Sequence, residues 1–272
     1  MKTSMTGVGK LSRKLLTVAV FGAFVSMVQA QNVSTGPNNV YIEQIGNTNT
    51  ITIQQVGASN NVGGIAGTTI ATDSNGVTTW NTTAPTSINY GTVNGSNNTV
   101  AVTQTGQSNT AQYNIKGNNN TYNSTVTGDN NNTYLQIGDT SNPTNLRNTV
   151  NETITGSNNQ SLQKLVGSDI NSTLSVTGSY NQVTQNLLSS KGTSGITIAG
   201  SNNILYSEQT DMAGTDGHAL VQSVTGSYNS ITTQQQGSID TTVNIATIGD
   251  HNTISVRTSS ATIINPLTAA AR

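Results

Sequence analysis

The sequence predicts an all-β chain: a β-solenoid of stacked strand-turn-strand rungs, with about 22 residues per rung, 11-residue half-repeats and an amyloid-like cross-β arrangement. Three observations carry this expectation: glycines recurring at a spacing of eleven, period-two alternation between them, and a composition that cannot build an ordinary core. Only 8% of the 272 residues are charged and 4% aromatic, and both phenylalanines, Phe21 and Phe24, lie near the N-terminus. Asn alone fills 37 positions. Such a polar chain stays disordered unless its side chains satisfy one another by stacking, and periodicity decides between those outcomes.

The N-terminal segment, residues 1–30, reads as a secretory signal peptide. Lys2, Lys10, Arg13 and Lys14 form a basic region, Leu15 to Val28 is apolar, and Val28-Gln29-Ala30 supplies small residues for cleavage after Ala30. The apolar stretch is shorter than the ~20 residues that span a bilayer, so no transmembrane anchor is expected. Removing it takes away four of ten basic residues and none of the eleven acidic ones, leaving 6 − 11 = −5. Neither a basic stripe nor an aromatic platform points to nucleic acid. Cysteine is absent, so an exported chain of this sequence relies on backbone pairing rather than disulfides.

From there the repeat runs through residues 44–257. Turn glycines stand at Gly46, Gly57, Gly95, Gly106, Gly117, Gly128, Gly156, Gly167, Gly178, Gly200, Gly226, Gly237 and Gly249, most followed three residues later by Asn. Gly-x-x-Asn suits a tight turn, because Gly and Asn both tolerate positive φ. The Thr-, Val- and Ile-rich residues that follow suit strands. In Asn49-Thr50-Ile51-Thr52-Ile53-Gln54-Gln55 the odd-numbered residues form one face and the even-numbered ones the other. Asn98-Val100-Val102-Gln104, Asn229-Ile231-Thr233-Gln235 and Asn252-Ile254-Val256 repeat the pattern. One half-repeat cannot bury its inner face alone, so two close a rung, and seven or eight rungs stack at ~4.8 Å. Three breaks interrupt the register, at 62–92 (with the chain's only Trp, Trp80), 139–155 and 208–218; residues 258–272 form a C-terminal tail.

The unit from Gln44 through Gly46, Asn49 and Ile51 to Gln55 resembles the curlin repeat of bacterial curli subunits, and Gln104-Thr105-Gly106-Gln107-Ser108-Asn109-Thr110-Ala111 is similar to it as well. Gly36-Pro37-Asn38 leading to Tyr41 and Gln44 looks like the curlin N-terminal segment, so the resemblance implies that residues 31–43 address the chain to an outer-membrane secretion pore. It further implies an extracellular curli-like fibre subunit, pilus-like and supporting adhesion and biofilm matrix. The expected partners are other copies, a nucleator subunit, the pore and periplasmic chaperones, with no cofactor and no metal. By the same resemblance the stacking residues are Gln44, Asn49, Gln55, Asn60, Asn98, Gln104, Asn109, Asn120, Asn131, Asn181, Asn203, Gln209, Asn229, Gln235 and Asn252. The chain departs from the pattern where Ile170 follows Gly167 and Asp240 follows Gly237. Those departures and the insertions leave open a minor or nucleating curlin, or a repetitive adhesin.

An enzyme needs convergent titratable groups. The two histidines, His218 and His251, have no metal-ligand spacing. Asp211, Asp216 and His218 read either as a cation-binding loop or as a charged break that limits edge pairing. No catalysis is expected. A remaining alternative is a monomeric solenoid binding ice or another ligand through outward Thr50, Thr52, Thr99, Thr103, Thr110, Thr121 and Thr125. Against it, Ala101, Gln112, Asn114 and Asn123 interrupt that array.

Overall fold

The computed structural model describes residues 36–63, 91–138, 146–210 and 217–259, together with the backbone of three strands at 25–31, 68–72 and 78–82. Most of the expected signal peptide, the C-terminal tail beyond Ser259, and Asp211 and Asp216 lie outside the described residues. The described residues form strands and turns only. In chain order the first strands are β1 (Val25–Gln31), β2 (Asn39–Val40), β3 (Ile42–Ile45), β4 (Thr50–Ala58), β5 (Asn61–Gly63), β6 (Thr68–Thr72), β7 (Thr78–Thr82) and β8 (Gly91–Asn94). Next come β9 (Thr99–Gln107), β10 (Thr110–Lys116), β11 (Thr121–Thr127), β12 (Asn132–Ile137), β13 (Thr149–Thr155), β14 (Gln160–Leu165) and β15 (Asn171–Thr177). The last are β16 (Gln182–Leu187), β17 (Thr193–Ala199), β18 (Ile204–Thr210), β19 (Ala219–Thr225), β20 (Ser230–Gln236), β21 (Thr242–Ile248) and β22 (Thr253–Ser259).

These strands build two parallel sheets wound around one narrow core, a β-solenoid of about eight turns. The first sheet stacks β1, β4, β9, β11, β13, β15, β17, β19 and β21; the second stacks β2–β3, β5–β8, β10, β12, β14, β16, β18, β20 and β22. The chain alternates between them at every turn. Equivalent turn asparagines bond at offsets of 22 residues, lengthened to 28, 26 or 49 where segments are inserted. Parallel sheets of this kind need both ends of each strand turned tightly. Gly-x-x-Asn supplies that turn, and all thirteen expected turn glycines have positive φ, from 99° to 150°. The second αL residue is not the Asn, however. It is the residue before it, as at Asn97, Ser108, Tyr180 and Tyr228. The Asn itself takes an inward-facing conformation, because its amide is needed in the core.

The alternation holds where it was read. Ile51, Ile53, Val100, Val102 and Ile231 are fully buried, with Asn49, Gln55, Asn98, Gln104, Thr233 and Gln235 in the same inner columns. Residues Asn252, Ile254 and Val256 face inward too but are only half-buried, since no further rung covers them among the described residues.

The breaks are narrower than expected. Thr149–Thr155 is strand β13, pairing along its whole length with β11 and β15, so the second break spans 139–148 rather than 139–155. Its Thr-Val-Asn-Glu-Thr-Ile-Thr alternation is a full half-repeat, masked in sequence because the glycine that should precede it is missing. The third break is likewise bracketed by β18, which reaches Thr210, and β19, which begins at Ala219. The first break divides one strand. β5 and β8 pair with successive parts of β10, so the chain leaves after Gly63, forms the antiparallel β6–β7 hairpin, and rejoins the same strand line at Gly91. The site chosen has a steric reason. A Cβ at Gly91 would sit 2.7 Å from the ring of Tyr113, a fully buried side chain packed against Tyr122.

Candidate functional site: the amide spines and the end rungs

The stacking residues fall into two columns, one at each line of turns. Where the chain passes from the first sheet to the second, the column reads Asn38, Asn60, Asn109, Asn131, Asn159, Asn181, Asn203, Asn229 and Asn252, without interruption. Each member repeats one bonding pattern. Asn131 is typical: its backbone N–H and Nδ2 donate to Oδ1 of Asn109 at 3.0 and 3.1 Å, and Nδ2 also donates to the Gly156 carbonyl at 2.7 Å. Its own Oδ1 then accepts the N–H and Nδ2 of Asn159. Every amide thereby satisfies the rung below and the glycine of the rung above, which is why Asn rather than Gln or Ser holds the slot.

Asn38 and Asn159 extend this column beyond the residues expected. Asn38 Oδ1 accepts the Asn60 N–H at 2.9 Å and its Nδ2 donates to the Gly57 carbonyl, so Gly36-Pro37-Asn38 is the first turn of the stack. Asn159 was legible from its spacing to Gly156; Asn38 lacks a turn glycine three residues before it.

The opposite column is shorter. It runs Asn49, Asn98, Asn120 and Asn148, the last missed because it lies in the second break, and ends where Ile170 donates its N–H to Asn148 Oδ1 but offers no amide onward. Gly192, His218 and Thr241 follow in the equivalent places, each at the start of the next strand of the first sheet. His218 is buried, its Nδ1 2.8 Å from Thr241 Oγ1. At the exposed tips of this line of turns, Arg147 bonds both carboxylate oxygens of Asp169 at 2.7 and 2.8 Å, holding that carboxyl below its usual range. Lys191 adds attraction from the next rung. The alternating signs avoid the repulsion that stacked like charges would bring.

The expected glutamine ladder is present only in two short pieces. Gln55 Nε2 donates to Gln104 Oε1 at 2.9 Å, and Gln209 Nε2 to Gln235 Oε1 at 2.9 Å. Between them the same columns turn apolar: Gln104 is followed by Val126, and Gln44 by Val93, Ile115, Ile137, Leu165 and Leu187 before Gln209. Gln44 therefore stacks on no other glutamine.

A second polar element went unread in sequence. Glu152, on β13, is 3% exposed. Its Oε2 accepts from Tyr122 and Ser124, and its Oε1 from Gln163. Burial pushes this carboxyl above the usual range, and burial with the nearby carboxylate pushes the Tyr122 phenol up as well. Ser172 lies 2.8 Å from Gln163 Oε1 and 2.7 Å from Gln185 Oε1, and Gln185 Nε2 donates to Ser194. This seam lies between the two apolar clusters of the core, one centred on Tyr113 and Tyr122, the other on Leu174 and Ile196.

The outer face of the first sheet carries threonine columns. Thr50, Thr99, Thr121 and Thr149 stand in one line, Thr103, Thr125 and Thr153 in another, and Thr105, Thr127, Thr155 and Thr177 in a third. Gln112 and Asn114, which the sequence counts as interruptions, belong to β10 in the other sheet, as does Thr110. Ala101 and Asn123 do interrupt a line on this face.

The continuous asparagine spine is saturated along its length and, among the described residues, open at its last rung. Asn252 Oδ1 accepts no hydrogen bond among the described residues, and a Cβ at Gly249 would meet no neighbouring rung, unlike those at Gly178, Gly200 or Gly226. Ile245 and Ile254 pack on the core while still partly exposed, and Ile248 is 84% exposed. At the other end Val40 and Ile42 are likewise only partly buried, and β1 lies along β4 in parallel register. No group of three or more His, Cys, Asp or Glu side chains that could hold a metal occurs among the described residues, and no helix there is long and apolar enough to cross a membrane. No protein-family model, curated protein or solved structure matches the chain.

Proposed function

We propose that this chain is a structural subunit of an extracellular amyloid-type fibre of the kind curli form, exported and then lengthened by adding copies end to end. The observation that carries the reading is the unfinished last rung. Among the described residues, an amide spine that satisfies each member through its neighbours stops at Asn252 with an open acceptor, over half-buried apolar side chains. Exposed parallel edges of this kind are templates for another strand. Other copies are thus the principal partner, with a nucleator, a secretion pore and chaperones as the accessory partners implied by the curlin-like repeat. The β6–β7 hairpin, leaving the stack between Gly63 and Gly91, is where an adhesive or nucleating function would sit in a minor subunit. The chain has no catalytic role in this reading.

The test is diffraction from aligned, aged samples of the protein exported by a bacterial host. Reflections near ~4.8 Å and ~10 Å along and across the fibre, with growth accelerated by seeds, are the expected result. A folded monomer that never yields that pattern refutes the fibre. It would favour the second reading, for which the regular threonine columns speak: a monomeric solenoid that orders water or ice on its flat face, detected by thermal hysteresis.

A further inference from the structure

Sheet register links the two ends of the molecule. On the outer face of the second sheet one line of positions begins at Glu43 on β3 and passes through Thr92, Asn114, Gln136, Lys164, Asn186, Glu208 and Gln234. It ends at Arg257 on β22, opposite Gln234. The first and last members of that line carry opposite charges. A second copy continuing the stack in the same parallel register would place Arg257 of one chain directly beside Glu43 of the next.

The rest of that joint is consistent with the same register. Counting along β22 against β2–β3, Ile254 falls on Val40 and Val256 on Ile42, apolar on apolar and all facing inward. The open Oδ1 of Asn252 would meet the backbone N–H of Asn38. A slip of one residue turns the inward isoleucines to solvent. A slip of two moves Arg257 to Tyr41 or Ile45, and a joint between two C-terminal ends brings two arginines together.

We propose that Glu43 and Arg257 form an ion pair between successive copies that fixes the register and polarity of the head-to-tail joint. The proposal rests on the fibre reading. It adds a named contact that selects one joint among those the backbone edges alone would permit, since edge hydrogen bonds are indifferent to side chains and charges are not. Arg257 is exposed and, among the described residues, donates to Gln236 Oε1 at 3.5 Å.

The experiment compares seeded growth of the exported full-length protein with its E43R, R257E and E43R/R257E variants, at low and at high salt, after circular dichroism has shown equal strand content. Each single reversal is expected to slow elongation on seeds of its own kind by about two- to fivefold at low salt, the range of exposed ion pairs. The difference should shrink at high salt. The double reversal restores the pairing and should grow on its own seeds close to the wild-type rate. Single variants that elongate as fast as wild type, or a double variant slower than both singles, overturn the ion pair while leaving the fibre standing. A wild-type chain that forms no fibres overturns the underlying reading and the pair with it.

Discussion

Replacing Asn131 with Ala measures what the amide spine contributes. The side chain takes part in four hydrogen bonds: Nδ2 to Asn109 Oδ1 and to the Gly156 carbonyl, and Oδ1 from the Asn159 N–H and Nδ2. Asn109 Oδ1 keeps the Asn131 backbone N–H, and Asn159 Nδ2 keeps the Gly178 carbonyl. Two backbone groups lose their partner, the Asn159 N–H and the Gly156 carbonyl. At about 1–3 kcal/mol for each group left unsatisfied away from water, the loss is about 2–6 kcal/mol. Asn252→Ala is the internal control. It removes one side-chain bond, to Asn229 Oδ1, and strands no rung above, so about 1 kcal/mol or less is expected. Urea unfolding of both variants by circular dichroism gives the global difference, and hydrogen exchange at the Asn159 amide gives the local one. If Asn131→Ala unfolds within about 1 kcal/mol of Asn252→Ala, and exchange at Asn159 is unchanged, the spine is not what holds the rungs together.

Two further outcomes follow from the core. Glu152 has a folded pKa raised by burial, so its contribution is fully present below the unfolded value of about 4.3 and is lost as pH rises through the folded one. Unfolding free energy should therefore fall as pH rises above about 4.3, and Glu152→Gln should flatten that slope; an unchanged slope in denaturant titrations excludes Glu152 as its source. Gly178→Ala places a Cβ against the Gly200 carbonyl at φ +128°. The backbone strain alone costs about 1–3 kcal/mol, and forcing the rungs apart adds to it, so a thermal midpoint equal to wild type would contradict the observed turn geometry.

How much of this was legible depended on whether a signal was local. The strand-turn alternation, the turn glycines and most of the spine asparagines could be read because each lies within one eleven-residue unit. The Gln columns could not, because which residue lies above Gln104 depends on the length of the intervening chain, and the answer is Val126. Glu152 looked like an ordinary polar residue in a loop. Its burial comes among Tyr122 and Ser124 on β11 and Gln163 on β14, which only the folded stack brings to it. The threonine face was underrated for a related reason: Gln112 and Asn114 interrupt it only if consecutive half-repeats share a sheet, whereas they alternate.

The two lines of turns differ in a way that bears on assembly. Asn148 sits at the end of the second break, Gly192 after Ser189-Ser190-Lys191, and His218 at the end of the third break, all on one line. The other line has a Gly-x-x-Asn turn in every rung from Gly57 to Asn252. A loop can leave the first line because an apolar residue such as Ile170 closes the stack there with its backbone N–H alone. The same substitution in the continuous line would leave the glycine carbonyl above and the amide N–H beyond it unsatisfied at that rung. The second and third breaks, placed on one side, therefore keep the other as an unbroken spine, beginning with an amide at Asn38 and ending with one at Asn252. A monomer needs only that each interior rung be satisfied, and could close its last turn with any polar residue. A terminal Asn with the same inward geometry as the interior ones is what continuation by another copy requires, which is why exchanging Asn252 should slow seeded elongation far more than it lowers the stability of the free chain.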